Sequence, residues 1–132
     1  MNNFCIGEGI GKIRTAGLGT CIGIVAYDTQ RKVGLLSHIT AFDNEAETLK
    51  EFEKQLKVRR SSLKNTKIYM CGGQPDGKKE VTKQSKLIRE LLERYEGEIV
   101  VDQTGVEVRD FTVDLETGKV DILTGEITDK NY

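Results

Sequence analysis

This 132-residue chain has only three cysteines and one proline, and it has no long apolar run. Three cysteines with no CxxC spacing do not make a disulfide framework, so we expect free thiols. No apolar stretch approaches the about 20 residues that a membrane-spanning helix needs. The first residues also lack the basic head and apolar core of a signal peptide. We therefore expect a cytoplasmic protein with no membrane insertion.

An excess of charge of one sign is missing as well. The 20 lysines and arginines nearly balance the 21 acidic residues, which leaves a net charge of −1. Balanced charge argues against nucleic acid as a partner. The basic run at residues 57–67 has no interleaved aromatic side chains, so we interpret it as a solvated helix end and loop. With a single proline and no repeat or low-complexity segment, residues 1–132 are expected to form one domain.

The apolar pattern predicts about seven strands, largely paired in hairpins, and two main helices. Residues 21–27 and 32–38 indicate a β-hairpin around a polar turn. Further strands are expected at 67–71, 99–102, 106–115 and 119–123, with a turn at 74–77. The apolar members expected in the long strand are Val106, Val108, Phe111, Val113 and Leu115. Hairpins rather than a βαβ series are typical of an α+β protein.

Both helices are predicted from apolar residues at helical spacing. Asp43 or Asn44 is expected to cap the first helix, because Glu47 follows Asn44 at the capping-box spacing. The side chains expected on its buried face are Ala46, Leu49, Phe52 and Leu56. The second helix is expected at 81–95, with Ile88, Leu91, Leu92 and Tyr95 buried. Gly97 stands where a C-terminal left-handed glycine belongs.

The predicted hairpin brings together one cysteine and the only histidine of the chain. A two-residue turn at Thr29 and Gln30 places Cys21 directly opposite His38. Directly opposed residues share one face of a sheet, with Cβ atoms about 4.5–5.5 Å apart. The loop length is the deciding quantity, because a shift of one residue sends the two side chains to opposite faces.

A cysteine beside a histidine is suited to nucleophilic catalysis. A neighbouring charged imidazole lowers the pKa of a thiol and so favours the reactive thiolate. Gly19 lets a substrate approach the backbone closely, and the N–H groups of Thr20 and Cys21 are candidates for an oxyanion hole. Thr15, six residues before Cys21, is positioned to fix the tautomer of His38. The alternative is a buried core thiol and a structural histidine.

Two other kinds of site fit the sequence less well. A metal site would have to combine Cys5, Cys21, His38 and Cys71, whose spacings contain none of the close pairs that zinc sites favour. The stretch "GEGIGK" matches neither the dinucleotide-binding fingerprint nor the P-loop. We interpret Cys5 and Cys71 as buried strand thiols.

The block from the threonine to the histidine resembles the chemoreceptor glutamine deamidases of bacterial and archaeal chemotaxis, the CheD family. The matching residues are Thr15, Gly17, Leu18, Gly19, Thr20, Cys21, Asp28, Val33, Gly34, Ser37 and His38. Weaker similarity extends over residues 6–123 and includes "IYMCGG" and the hairpin at 101–120. The resemblance implies a sandwich of β-sheets with helices outside.

The resemblance also implies a function. It makes Cys21, His38 and Thr15 the catalytic set and places Gly72 and Gly73 at the edge of the site. The implied reaction converts glutamine to glutamate on chemoreceptor helices, needs no metal or organic cofactor, and is regulated by a phosphatase partner of the CheC type. The segment after His38 departs from the family pattern. It motivates the alternative of a binding module that regulates such a phosphatase with weak or lost catalysis.

Overall fold

The computed structural model describes residues 3–18, 21–40, 43–73 and 80–124. The strands within these ranges are β1 (Asn3–Glu8), β2 (Lys12–Leu18), β3 (Ile22–Asp28), β4 (Val33–Ile39), β5 (Lys67–Gly72), β6 (Glu98–Thr104), β7 (Val108–Asp114) and β8 (Val120–Thr124). The helices are α1 (Glu45–Val58) and α2 (Glu80–Arg94), with a 3₁₀ turn at Leu63–Asn65. The turn expected at 74–77 lies outside the described residues.

The strands form two sheets. One has five strands in the order β1-β4-β3-β5-β6, and the other has three in the order β2-β7-β8. All neighbours are antiparallel except β5 and β6, which are parallel because the chain crosses over through α2 between them. The predicted α+β sandwich is confirmed. Within the described ranges, neither helix has the length and apolar composition needed to cross a bilayer.

The five-stranded sheet is apolar on both faces, and each face has its own core. One core contains Ile24, Leu35 and Met70 together with the buried faces of α1 and α2. The other lies between the two sheets and contains Val25, Leu36, Cys71, Phe111 and Val113, among others. Because side chains alternate along a strand, these two clusters divide the residues of β3 and β4 between the layers.

The register of the β3–β4 hairpin differs from the prediction. The turn has four residues, Thr29 to Lys32, and Asp28 pairs with Val33. The Asp28 carboxylate accepts hydrogen bonds from the backbone N–H groups of Gln30 and Arg31 at 2.9 and 3.1 Å, which stabilises the longer turn. His38 therefore pairs with Gly23 rather than with Cys21. The difference is two residues, an even number, so each side chain keeps the face that the sequence predicted.

The start of α1 is as predicted. Asn44 is the N-cap, and its side-chain oxygen accepts a hydrogen bond from the backbone N–H of Glu47 at 2.9 Å. Leu49, Phe52 and Leu56 are buried. Ala46 is exposed, so its placement on the buried face was wrong. It lies in the first turn, before the helix packs on the sheet.

The end of α2 uses a different residue from the one predicted. Glu96, not Gly97, adopts the left-handed conformation, with φ 63°. The N–H of Gly97 donates to the carbonyl of Leu92 at 3.0 Å, and the N–H of Glu96 donates to Glu93. This is the Schellman pattern, in which Gly97 occupies the position after the left-handed residue. Ile88, Leu91 and Leu92 are buried as expected, with Tyr95 packed beside them.

Two further predictions were wrong in the strands. Val106 is 42% exposed in the turn before β7 rather than a buried strand residue. Cys5 is exposed, because β1 is the edge strand of the five-stranded sheet. Cys71 is buried as expected.

The two sheets approach closely at the end remote from His38. Gly7 of β1 pairs with Gly34 of β4, and Leu115 covers both. A Cβ at Gly34 would lie 2.7 Å from Cδ2 of Leu115, so a side chain there would force a shift. The hydroxyl of Tyr27 donates to the carbonyl oxygen of Leu115 at 2.5 Å. This contact fixes the spacing of the sheets between which the candidate site residues lie.

Candidate active site

The three residues expected to be catalytic come from different strands or strand ends. Cys21 immediately precedes β3, His38 is the next-to-last residue of β4, and Thr15 lies in β2 of the other sheet. Cys21 packs against the inter-sheet core. His38 follows Leu36 by two residues, so alternation places it on the same face. The space between the sheets is therefore where these residues converge.

Cys21 and His38 are neighbours without being directly opposed. Extension of the β3–β4 register by one residue places Cys21 across from Thr40, so Cys21 and His38 are diagonal neighbours. Such positions lie about 7–8 Å apart between Cα atoms. Among the described residues, no hydrogen bond joins the thiol to the imidazole. Catalytic hydrogen bonds are often long before substrate binds.

His38 is linked to Thr15 across the gap between the two sheets. The Thr15 Oγ1 atom lies 3.5 Å from Nδ1 of His38, and both residues are half-buried. A hydroxyl partner at Nδ1 leaves Nε2 available to a substrate or to a thiol. The predicted contact between these two residues is confirmed.

The environment of the thiol differs from the prediction. Burial raises the pKa of Cys21, and the nearby Asp43 carboxylate raises it further. We had expected a lowered pKa from an adjacent imidazolium. Asp43 also accepts hydrogen bonds from the N–H and hydroxyl of Thr40, at 2.8 and 3.2 Å. These bonds hold its negative charge at the turn that follows β4, and the charge disfavours the thiolate.

The double glycine at the end of β5 contacts the backbone of Cys21 directly. The N–H of Gly73 donates to the carbonyl of Cys21 at 2.8 Å. Gly72 and Gly73 have φ angles of 83° and 69°, which favour glycine. A Cβ at Gly73 would lie 3.0 Å from Cγ1 of Ile22. The double glycine therefore supports the backbone at Cys21, and the N–H of Gly73 is already engaged.

No family model matches the chain. Over 138 residues it is 30% identical to the probable chemoreceptor glutamine deamidase CheD of Clostridium novyi, an alignment that covers 86% of this chain and 83% of the relative. The chain belongs to the CheD family. A shorter match to CheD of Halalkalibacterium halodurans is 45% identical over 42 residues, 32% of this chain and 26% of that protein. A further short match, to the probable CheD of Pyrococcus horikoshii, is 47% identical over 38 residues. It covers 29% of this chain and 24% of that protein.

Some of the residues assigned to the CheD-type site from the sequence are not described. Gly19 and Thr20, the expected oxyanion-hole segment, lie outside the described ranges. Cys71 of β5 pairs with Gly23 of β3, so it lies on the same face of the sheet as Cys21. Burial raises the pKa of the Cys71 thiol to about 12. Over the described residues, no three His, Cys, Asp or Glu side chains are grouped to hold a metal ion.

The sequence analysis missed one residue that acts on the Cys21 thiol of this CheD member. Asp43 was considered only as a helix cap, a place that the structure gives to Asn44. Its electrostatic effect on Cys21 depends on the path of the chain after β4. The sequence holds no local signal for this effect, because Asp43 follows Cys21 by 22 residues and only the folded chain brings the two together.

Proposed function

We propose that this CheD-family protein converts side-chain glutamine to glutamate on chemoreceptors, with Cys21 as nucleophile and His38 as general base. Family membership supports the reaction class, since the relatives are named as chemoreceptor glutamine deamidases. The observation that carries the assignment of residues is the Thr15–His38 contact beside Cys21. With Nδ1 facing Thr15, the Nε2 atom of the chain's one histidine is available on the face of the sheet that Cys21 shares.

The first step forms a thioester. The Thr15 hydroxyl accepts a hydrogen bond from Nδ1–H of His38, so Nε2 carries the lone pair. His38 removes the proton from the Cys21 thiol as sulfur attacks the carboxamide carbon of the substrate. The imidazolium then protonates the departing nitrogen, the carbon–nitrogen bond breaks and ammonia leaves. A raised thiol pKa favours this concerted proton removal over a resting thiolate.

The second step releases glutamate. His38 removes a proton from water as the water oxygen attacks the thioester carbon. The carbon–sulfur bond then breaks, and the imidazolium of His38 returns the proton to the Cys21 sulfur. The net reaction consumes one water and releases one ammonia for each glutamine. No redox partner enters this balance.

The test uses purified protein and cytoplasmic chemoreceptor helices, with peptide mass spectrometry to detect conversion of carboxamide to carboxylate. Cys21→Ala should abolish conversion. His38→Ala should lower the rate about 10²–10⁴-fold, as expected for loss of a general base. Thr15→Ala should lower it less, and Thr15→Ser should restore it because the hydroxyl is retained.

Undiminished deamidation by Cys21→Ala would refute the proposal. An inactive wild type that binds a CheC-type phosphatase stably would instead favour the regulatory binding module. The variants are compared at equal folded fraction, measured by thermal unfolding.

A further inference from the structure

Helix α2 is joined to the end of β6 by a compact polar network. The Arg89 Nε atom lies 2.6 Å from the Asp102 carboxylate, and Nη2 of the same guanidinium donates to the hydroxyl of Thr104. That hydroxyl donates in turn to Asp102 at 2.6 Å. The network thus closes on itself, so three side chains fix one another's positions.

The charge state of Asp102 is consistent with a formed network. Burial raises the pKa of its carboxyl, but hydrogen bonds from Arg89 and Thr104 outweigh burial and leave the pKa below its usual range. The side chains of Arg89 and Asp102 are 39% and 30% exposed. An ion pair at this exposure contributes little to global stability. Its main effect is therefore expected on the local position of the backbone.

Backbone hydrogen bonds continue from this network to the nucleophile. Gly105, directly after Thr104, donates its N–H to the carbonyl of Gly72 at 2.8 Å. The next residue, Gly73, donates its N–H to the carbonyl of Cys21 at 2.8 Å. The path from Arg89 to Cys21 therefore runs through the end of β6 and the double glycine, with one hydrogen-bonded contact at each junction.

We propose that Arg89 is a positioning residue that holds the backbone of Cys21 through this path. The inference rests on the proposed function of Cys21 as nucleophile. Cys21 immediately precedes β3, where the end of a strand needs support from its neighbours. Gly72 and Gly73 lie in left-handed conformations with no side chains of their own, so contacts on both sides define where they sit.

Loss of the guanidinium should act on the chemical step. Arg89→Ala should lower kcat about ten- to hundredfold with KM little changed, because small displacements of reacting groups have effects of that size. Arg89→Lys should recover part of the rate, since an ammonium can pair with Asp102 but cannot bind Thr104 in the same planar geometry. The N–H groups of Gly73 and Gly105 should exchange faster with solvent in Arg89→Ala.

The matched control is Arg59→Ala. Arg59 is also an arginine in an ion pair, with Glu8 at 3.3 Å, and its side chain is 25% exposed. Because it follows α1 and pairs with the end of β1 remote from His38, its loss should leave kcat and the exchange of Gly73 unchanged. A double-mutant cycle adds Thr104→Val. The effects of Arg89→Ala and Thr104→Val on kcat should be strongly non-additive if they act through one network.

Amide exchange and activity separate the two proposals. Unchanged exchange at Gly73 in Arg89→Ala would overturn the positioning role at any level of activity, as would an equal fall of kcat in Arg59→Ala. Faster exchange at Gly73 with no deamidation by wild type would retain the structural path and refute the proposed function. Faster exchange with the expected fall in kcat would support both.

Discussion

The reactive character of Cys21 is set by its immediate surroundings. Its sulfur is half-buried, and a carboxylate held by Thr40 lies nearby. Both influences favour the neutral thiol, since burial penalises charge and Asp43 repels it. A neutral thiol reacts more slowly with oxidants and alkylating agents than a thiolate does. In the proposed mechanism, His38 activates this thiol at the moment of attack.

Asp43→Asn should lower the pKa of Cys21. The change removes the negative charge and keeps a side-chain oxygen able to accept from Thr40. The thiolate then forms at lower pH, so the midpoint of Cys21 alkylation against pH should move down, measured by mass spectrometry of the cysteine peptides. It should remain above that of an ordinary free thiol, because burial still raises the pKa of Cys21.

Glu47→Gln serves as the control for this experiment, since it removes an exposed carboxylate from the first turn of α1. Its alkylation midpoint should match the wild type. A midpoint unmoved or moved upward in Asp43→Asn would contradict the electrostatic role of Asp43.

At this scale the sequence predicted which side chains lie on one face better than it predicted the distances between them. The shared face of Cys21 and His38 follows from strand alternation, and the Thr15 contact was expected. Their direct opposition was wrong because the turn has four residues, a choice stabilised by the carboxylate of Asp28. Turn length depends on such contacts, and one of them comes from Ser61, 33 residues away, which donates to the same carboxylate.

At the scale of elements, the sandwich depends on contacts between sheets that are remote in sequence. Leu115, after β7, covers the glycine pair of β1 and β4, and Tyr27 of β3 donates to its carbonyl. Tyr27 is 2% exposed, so this hydrogen bond is made away from water. It links the five-stranded sheet to the three-stranded sheet that carries Thr15.

Tyr27→Phe should lower the free energy of unfolding by about 1–3 kcal/mol, because the buried carbonyl of Leu115 loses its partner while the ring remains. Urea unfolding measures the change. Tyr69→Phe is the control: Tyr69 is half-buried on the same face, and its hydroxyl makes no hydrogen bond to the described residues. Equal losses in the two variants would contradict a specific role for the Leu115 contact.

The first two strands show what local patterns miss. The sequence analysis assigned no strand to the residues of β1 or of β2. Their partners are β4 and β7, respectively. Both strands contain glycine or charged residues, and each is an edge strand of its sheet. An edge strand is less enclosed than a central one, so its sequence need not show a regular apolar pattern. Pairing with strands distant in sequence stabilises β1 and β2 more than the intrinsic strand propensity of their residues does.

At the scale of the whole molecule, the five-stranded sheet is the central layer. It has helices on one face and the second sheet on the other. Cys71 lies in this layer, with 0% exposure, and its pKa is raised to about 12 by burial. At a pH below the pKa of an unfolded thiol, about 8.5, Cys71 is protonated in both the folded and the unfolded chain. It then adds no pH dependence to the free energy of unfolding.

Cys71 should therefore reduce stability at alkaline pH. Above about pH 8.5 the unfolded chain releases the thiol proton and the folded chain retains it, so stability falls as pH rises towards the folded pKa. The slope from this group approaches about 1.4 kcal/mol for each pH unit. Urea unfolding at several pH values should show a shallower alkaline fall in Cys71→Ala than in wild type.

Cys5→Ala is the control, because Cys5 is exposed. It should keep the alkaline slope of the wild type, whatever its effect at neutral pH. The same slope in Cys71→Ala and wild type would show that the buried thiol is not responsible.

The sequence by itself determined the fold class, the two helices, the cap at Asn44 and the shared face of Cys21 and His38, because these follow from local periodicity and turn chemistry. Only the tertiary structure decided the hairpin register, the exposure of Cys5 and Ala46, and the approach of Asp43 to Cys21. It also decided the chain of hydrogen bonds between Arg89 and Cys21. Each of these depends on which distant surfaces meet, and contacts between such surfaces outweigh the small local preferences that a sequence displays.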